Sequence, residues 1–232
     1  MRGTPAYLFG GSMITKDYYT TLVRQKKWEV FDKYFEGRPE YNASKLCSLS
    51  INPDDWVQFS INNFHNAQIK HECPKEYYSP GTNMLAEVSN QLGRDAGNST
   101  DINFGVFGDT NEQLIELLGD DNINTLGVSK ENLLVRLVVK LPGHGMAWHE
   151  DSADSYFNVK FKGISVDRTK LVRLWFPVAD WQNGHVIQIG NSVLHHWAAG
   201  DVYQIPFGIG HASHNFGYHI NYTVALTGLR IR

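Results

Sequence analysis

The feature that most constrains the fold of this chain is a change of texture at Leu133. From there onward apolar residues alternate with polar ones and turn signals recur at short intervals, as in half-buried strands joined by tight turns. The pattern predicts strands over 133–141, 171–178, 185–190, 201–205 and 220–230. Pro142-Gly143, Asn183-Gly184, Gly190-Asn191, Gly200-Asp201 and a bend from Gly208 to Gly210 punctuate them. Many short strands separated by such turns point to a jelly roll or barrel and away from βαβ units.

The first half reads as mixed and mostly helical. Tyr18, Leu22, Trp28, Phe31 and Tyr34 can share one broad helical face within 15–37. Further helices are expected over 83–92, stopped by Gly93, and over 110–118, where Thr110 is a good N-cap and Gly119 a stop. The run 46–61, with Leu49, Ile51, Trp56, Val57, Phe59 and Ile61, suggests short strands interrupted at Pro53. At 232 residues the chain suffices for one sizeable core. The expected organisation is a single mainly β domain over 1–232. A helical elaboration (1–130) is added to a double-stranded β-helix, or jelly-roll, catalytic core (131–232).

Composition narrows the partners. A charged fraction of 19% with 42% hydrophobic residues is that of an ordinary globular protein. The net charge of −3, with scattered Lys and Arg, gives no footprint for nucleic acid or anionic lipid, so a peptide or small-molecule substrate is expected. Cys47 and Cys73 lie in no zinc spacing and read as reduced thiols of a cytoplasmic protein. No apolar window approaches a membrane span and no secretory leader is apparent, so neither membrane insertion nor secretion is expected.

The strongest chemical signal is Trp148-His149-Glu150-Asp151, just after a predicted strand and a Pro-Gly turn. His149 and Asp151, one residue apart on an extended segment, lie on the same side of it and can address one metal. A second His from a later strand would complete a 2-His-1-carboxylate triad, which leaves positions on Fe(II) open for a bidentate co-substrate and O₂. The segment Gly208-Ile209-Gly210-His211-Ala212-Ser213-His214-Asn215 offers two candidates, His211 and His214.

Taken in order, Leu141-Pro142-Gly143, His149 with Asp151, Arg173-Leu174-Trp175-Phe176-Pro177-Val178, Trp197-Ala198-Ala199-Gly200-Asp201 and His211 through Asn215 form a recognisable set. The set resembles the aspartyl/asparaginyl β-hydroxylase branch of the Fe(II)/2-oxoglutarate-dependent oxygenases, over about 133–228. The resemblance implies His149, Asp151 and His211 as metal ligands and catalytic centre. It also implies hydroxylation of an unactivated C–H bond, on an Asp or Asn residue or a related amino acid, with release of succinate and CO₂. His211 is preferred to His214 because Asn215 then falls where the family's His-x-x-x-Asn segment has its Asn.

A dianionic co-substrate needs a cation in a dry pocket, and the planar fork of Arg suits a carboxylate. Arg173 is the best candidate, because Arg173, Trp175 and Pro177 share the face of a strand that would look into the barrel. The family usually places an Arg about ten residues after the distal His; this chain has Asn221, Tyr222 and Thr223 there instead. Trp175, Asn221 and Tyr222 are therefore expected beside Arg173 in the co-substrate pocket. Arg136 and Lys140 alternate with apolar residues on the strand leading into the metal loop and could line the mouth of the site, but charges on half-buried strands usually face solvent and that reading is preferred; His185, His195 and His196 read as surface or structurally bonded. The polar segment 152–170 has the composition of a lid. Two other classes fit the pattern: a cupin-like metalloenzyme without 2-oxoglutarate, and a non-catalytic jelly-roll binding module.

Overall fold

The structure is a computed structural model that describes residues 7–9, 12–14, 41–69, 102–105, 109–149, 151, 153, 156–157 and 167–231; at 7–9, 12–14, 68–69 and 147–149 the description is of backbone. The chain forms two compact units, one of 1–40 with 73–98 and one of 41–72 with 99–232. In the first, β1 (Tyr7–Phe9) and β2 (Ser12–Ile14) pair antiparallel. The helices expected over 15–37 and 83–92 lie outside the described residues.

The second unit is built on two antiparallel sheets. Its elements are β3 (Lys45–Ser48), α1 (Pro53–Asn62), β4 (Gln68–Ile69), β5 (Ile102–Phe104), α2 (Asp109–Leu118), α3 (Asp120–Leu126), β6 (Leu134–Lys140) and β7 (Gly145–His149). There follow β8 (Leu171–Pro177), β9 (His185–Ile189), β10 (Ser192–Leu194), β11 (Asp201–Gln204), β12 (His211–Asn215) and β13 (Asn221–Leu229). The larger sheet runs β3-β11-β8-β13-β6-β5-β4 and the smaller β10-β9-β12-β7. From β6 to β13 the chain passes repeatedly from one sheet to the other, which is the wiring of a double-stranded β-helix. The fold is therefore mainly β with added helices, as the turn spacing predicts.

Two layers of core hold it. The outer face of the larger sheet, with Val135, Leu137, Leu174, Phe176, Val224 and Leu226, packs against Trp56 of α1 and Leu114 and Leu118 of α2. Between the sheets Trp175, Ile187, Ile189, Trp197 and Ile205 form a second, aromatic-rich layer, in which Trp175 and Trp197 meet edge to face at 5.3 Å. Asn111 of α2 fastens the helix layer, accepting from the Val135 amide at 2.7 Å.

One element departs from the sequence reading. Residues 53–62 are helical, where strands broken at Pro53 are expected. The Asn52 side chain accepts from the Asp54 amide, Pro53 occupies the first turn where its missing N–H costs nothing, and Asp54 and Asp55 favour the helix N-terminus. Trp56 and Ser60, four apart, are then buried on one face. Among the described residues no helix is long and apolar enough to cross a membrane, and Cys47 is a free, half-buried thiol.

Asp201, at the start of β11, ties that strand to β3. Its carboxylate accepts from Ser48 Oγ at 2.9 Å, Lys45 Nζ at 3.2 Å and the Ala198 amide at 3.1 Å. Burial pushes its affinity for a proton up, but the Ala198 amide, the Ser48 hydroxyl and Lys45 together outweigh burial and hold it below the usual carboxylate range. A carboxyl depressed in the folded state stabilises the protein above its unfolded pKa, and that stability is lost as the pH falls through the folded value. Urea unfolding of the wild type and Asp201→Asn is expected to show a gap at pH 7 that narrows progressively on acidification below about pH 4. A gap independent of pH would rule out this contribution.

Candidate metal centre

The candidate residues meet at one end of the barrel through the register of the smaller sheet. His211, at the start of β12, is directly opposite Ile189 of β9 on one side and His149 of β7 on the other. That pairing depends on a bulge. Ser213 faces Met146, so Ala147 and Trp148 together oppose Ala212 alone, and the extra residue brings His149, instead of Trp148, level with His211. The side chain of His149 lies outside the described residues.

Alternation along β12 separates the two candidate histidines. His211, Ser213 and Asn215 are buried and face the barrel interior, whereas Ala212 and His214 lie on the opposite face. The His214 ring stacks on Phe216 at 5.2 Å and fills space over Gly145 where any Cβ would collide. His214 is thus no alternative to His211 in the interior. Of the glycines expected to bend the chain into this loop, Gly208 has a left-handed backbone (φ 77°); Gly210 is absent from the positive-φ glycines.

His211 is held in one tautomer. Its Nδ1 lies 3.2 Å from the Ile209 carbonyl, so Nδ1 carries the hydrogen and donates. Nε2 then directs a lone pair toward Asp151 Oδ2, 3.0 Å away. Burial, with help from the charge of Arg173 and more weakly from Lys140, pushes the imidazole down to about 3 despite the Ile209 contact, so it is neutral at physiological pH. Two electron-pair donors facing each other at this distance suit a shared cation: adjacent ligands at about 2.1 Å from a six-coordinate metal lie about 3 Å apart. Among the described residues no three His, Cys, Asp or Glu side chains converge.

Arg173 lies beside them, buried on the barrel-facing side of β8, and is ion-paired to Asp151 Oδ2. Burial and the nearby charge of Arg136 push its guanidinium down to about 9, which leaves it charged at neutral pH. Its neighbour Trp175 is packed into the aromatic layer against Trp197 and Tyr203. Asn221, opposite Lys140, is buried on the interior face at the far end of the sheet. Tyr222 is misplaced by the sequence reading. Strand alternation turns it to the other face, where it packs against the helix-side core.

Two cations were also misread. Arg136 and Lys140 were expected to face solvent, yet register puts them on the interior face: Arg136 is opposite Ala225, which is opposite Trp175. Lys140 is only 2% exposed. Helices α1 and α2 cover the other, apolar face of this sheet, so the polar face of β6 becomes the barrel wall. His185, His195 and His196 follow expectation. His195 and His196 are exposed beside Trp181, and buried His185 bonds through Nε2 to the His219 carbonyl at 3.0 Å. Most of the expected lid at 152–170 lies outside the described residues; Tyr156 and Phe157 are packed against Leu229.

No family model and no curated protein matches this chain. Among solved structures it is similar to a predicted oxalate decarboxylase from Thermotoga maritima, with 12% identity and a TM-score of 0.33, over 56% of this chain and 80% of that one. A double-stranded β-helix protein from Klebsiella pneumoniae gives 17% and 0.29 over 44% and 70%. A Cupin 2 conserved barrel domain protein from Salinispora arenicola gives 14% and 0.28 over 42% and 63%. Similarity at this level says nothing about chemistry, and the strand order described above stands without it.

Proposed function

We propose that this chain is an Fe(II)- and 2-oxoglutarate-dependent oxygenase that hydroxylates an Asp or Asn residue or a related amino acid, with His149, Asp151 and His211 as ligands. The observation that carries the reading is the meeting of β7 and β12: His149 opposite His211, and Asp151 Oδ2 3.0 Å from His211 Nε2. When bound, Fe(II) with 2-oxoglutarate and O₂ would supply the oxidising power that inserts one oxygen atom into the C–H bond and the other into succinate, with loss of CO₂.

The protein's own groups would do the rest. The Ile209 carbonyl holds His211 in the tautomer whose Nε2 can donate to a metal. Arg173 orients the Asp151 carboxylate and balances its charge. Trp175, Ile187 and Ile189 form a dry wall below the centre, which strengthens each electrostatic contact within it. The test is uncoupled turnover: purified protein with Fe(II), ascorbate and 2-oxoglutarate is expected to release succinate slowly without substrate, and Asp151→Ala to release none above background. Equal release by both would remove the proposal's basis.

One observation favours a second reading, a cupin-like metalloenzyme without 2-oxoglutarate. Arg173, the cation expected to receive the co-substrate, is already committed to Asp151.

A further inference from the structure

The interior face of the larger sheet holds a second guanidinium, Arg136, that the centre described above does not use. Arg136, Ala225 and Trp175 stand in one row across β6, β13 and β8, and Leu134, Thr227 and Arg173 in the next. Residues paired across strands share a face, so Arg136 and Arg173 both look toward the smaller sheet. They are two strands apart (about 10 Å) and one row apart (about 7 Å) at the backbone, and long side chains close that gap. The charge of Arg136 already opposes that of Arg173.

Among the described residues Arg136 makes no hydrogen bond or ion pair; Lys140, on the same face, has an interaction of its own. Arg136, Ala225 and Thr227 lie between the two sheets and are half-buried there, keeping some access to solvent. Small side chains opposite a long one, all retaining access to solvent, outline a recess in the barrel. Trp175 stands across Ala225 from Arg136, and a guanidinium held between two sheets is costly unless an anion meets it. Of the two guanidiniums on this face, Arg173 is ion-paired to Asp151, and Arg136 has no ion pair among the described residues.

We propose that Arg136 anchors one carboxylate of an organic dianion in this recess, while Arg173 is a positioning residue that holds Asp151. This deepens the oxygenase reading and rests on it for the far end of the dianion, which would reach the His149–Asp151–His211 centre. It also removes the objection raised by the Arg173–Asp151 pair, because the ligand's anchor is a different residue. The planar fork of Arg136 suits a bidentate carboxylate, and Ala225 leaves the approach open.

Calorimetric titration of the full chain with glutarate, and with butyrate as the monoanion, in the presence of Mn(II) as a redox-stable stand-in tests this without turnover. Glutarate is expected to bind, with butyrate at least about tenfold weaker, Arg136→Gln at least about tenfold weaker than wild type, and Arg136→Lys between them. Arg173→Gln, which removes a neighbouring charge but not the anchor, should weaken glutarate clearly less than Arg136→Gln does. Ala225→Leu, which fills the recess without touching a charge, should abolish binding, and it decides the matter together with Arg136→Lys if Arg136→Gln fails to fold. Wild type that ignores glutarate, an Arg136 variant that binds normally, or a loss carried by Arg173 instead would each overturn the assignment. Glutarate has no keto group with which to chelate Fe(II). Glutarate binding lost in Arg136→Gln without any uncoupled turnover would therefore sink the oxygenase reading alone, and normal turnover with normal glutarate binding in Arg136→Gln would sink this one alone.

Discussion

His211→Ala is expected to weaken Fe(II) binding on the order of 100-fold or more while the β-sheet circular dichroism is kept. His211 sits in the central position of the smaller sheet, paired with β7 and β9 at once, so its backbone is fixed by neighbours the substitution leaves alone. What is lost is a neutral imidazole whose Nε2 faces Asp151 Oδ2 at 3.0 Å. His214→Ala is the matched control. It removes the same ring three residues away, from the face that stacks on Phe216, and should leave metal affinity within about twofold. Calorimetric titration with Mn(II) or Co(II) as redox-stable stand-ins measures both. Equal losses in the two variants would mean that the interior orientation of His211 is irrelevant.

Phe176→Ala is expected to carry the largest stability cost, about 3–5 kcal/mol, seen as a fall in Tm of roughly 10 °C for a chain of this size. Phe176 has no solvent exposure and meets Trp56 of α1 edge to face at 6.0 Å, joining the helix layer to the centre of the larger sheet. Truncation removes both the apolar burial and the aromatic contact, and neighbours on a sheet collapse poorly into the gap. The effect should also reach the candidate metal centre, because Arg173 and Trp175 occupy the same strand on the opposite face. Tyr218→Ala, at a residue 95% exposed, should shift Tm by no more than about 1–2 °C. Thermal unfolding followed by circular dichroism checks the pair, and a Phe176 variant as stable as wild type would refute the two-layer core.

Much of the barrel was legible because its strands are short and its turns chemically explicit. The run 133–141 became β6 and the run 171–178 became β8, with their inward and outward faces set by alternation. Two errors share one cause. Arg136 and Lys140 look solvent-facing on β6 because alternation alone cannot tell which face of a sheet is covered. The apolar face here is covered by α1 and α2, and part of that cover was itself hidden, since Asn52-Pro53-Asp54-Asp55 reads equally as a strand break and as a helix start. Tyr222 failed differently. Its expected place in the pocket follows from the position where the resembled family has an Arg, about ten residues after the distal His, and one residue along a strand reverses the face.

At the candidate metal centre, resemblance alone separates His211 from His214 in the sequence, and strand alternation adds that His211 faces the interior. The bulge that aligns His149 with His211 leaves no mark in the residues, because Ala147 and Trp148 would also fit a regular strand. Its consequence is testable in one measurement. Anaerobic titration with Fe(II), with and without 2-oxoglutarate, should develop the visible charge-transfer absorption of the chelate in wild type and lose it in both His149→Ala and His211→Ala. No band in the wild type, or a band that persists in His149→Ala, would contradict the account.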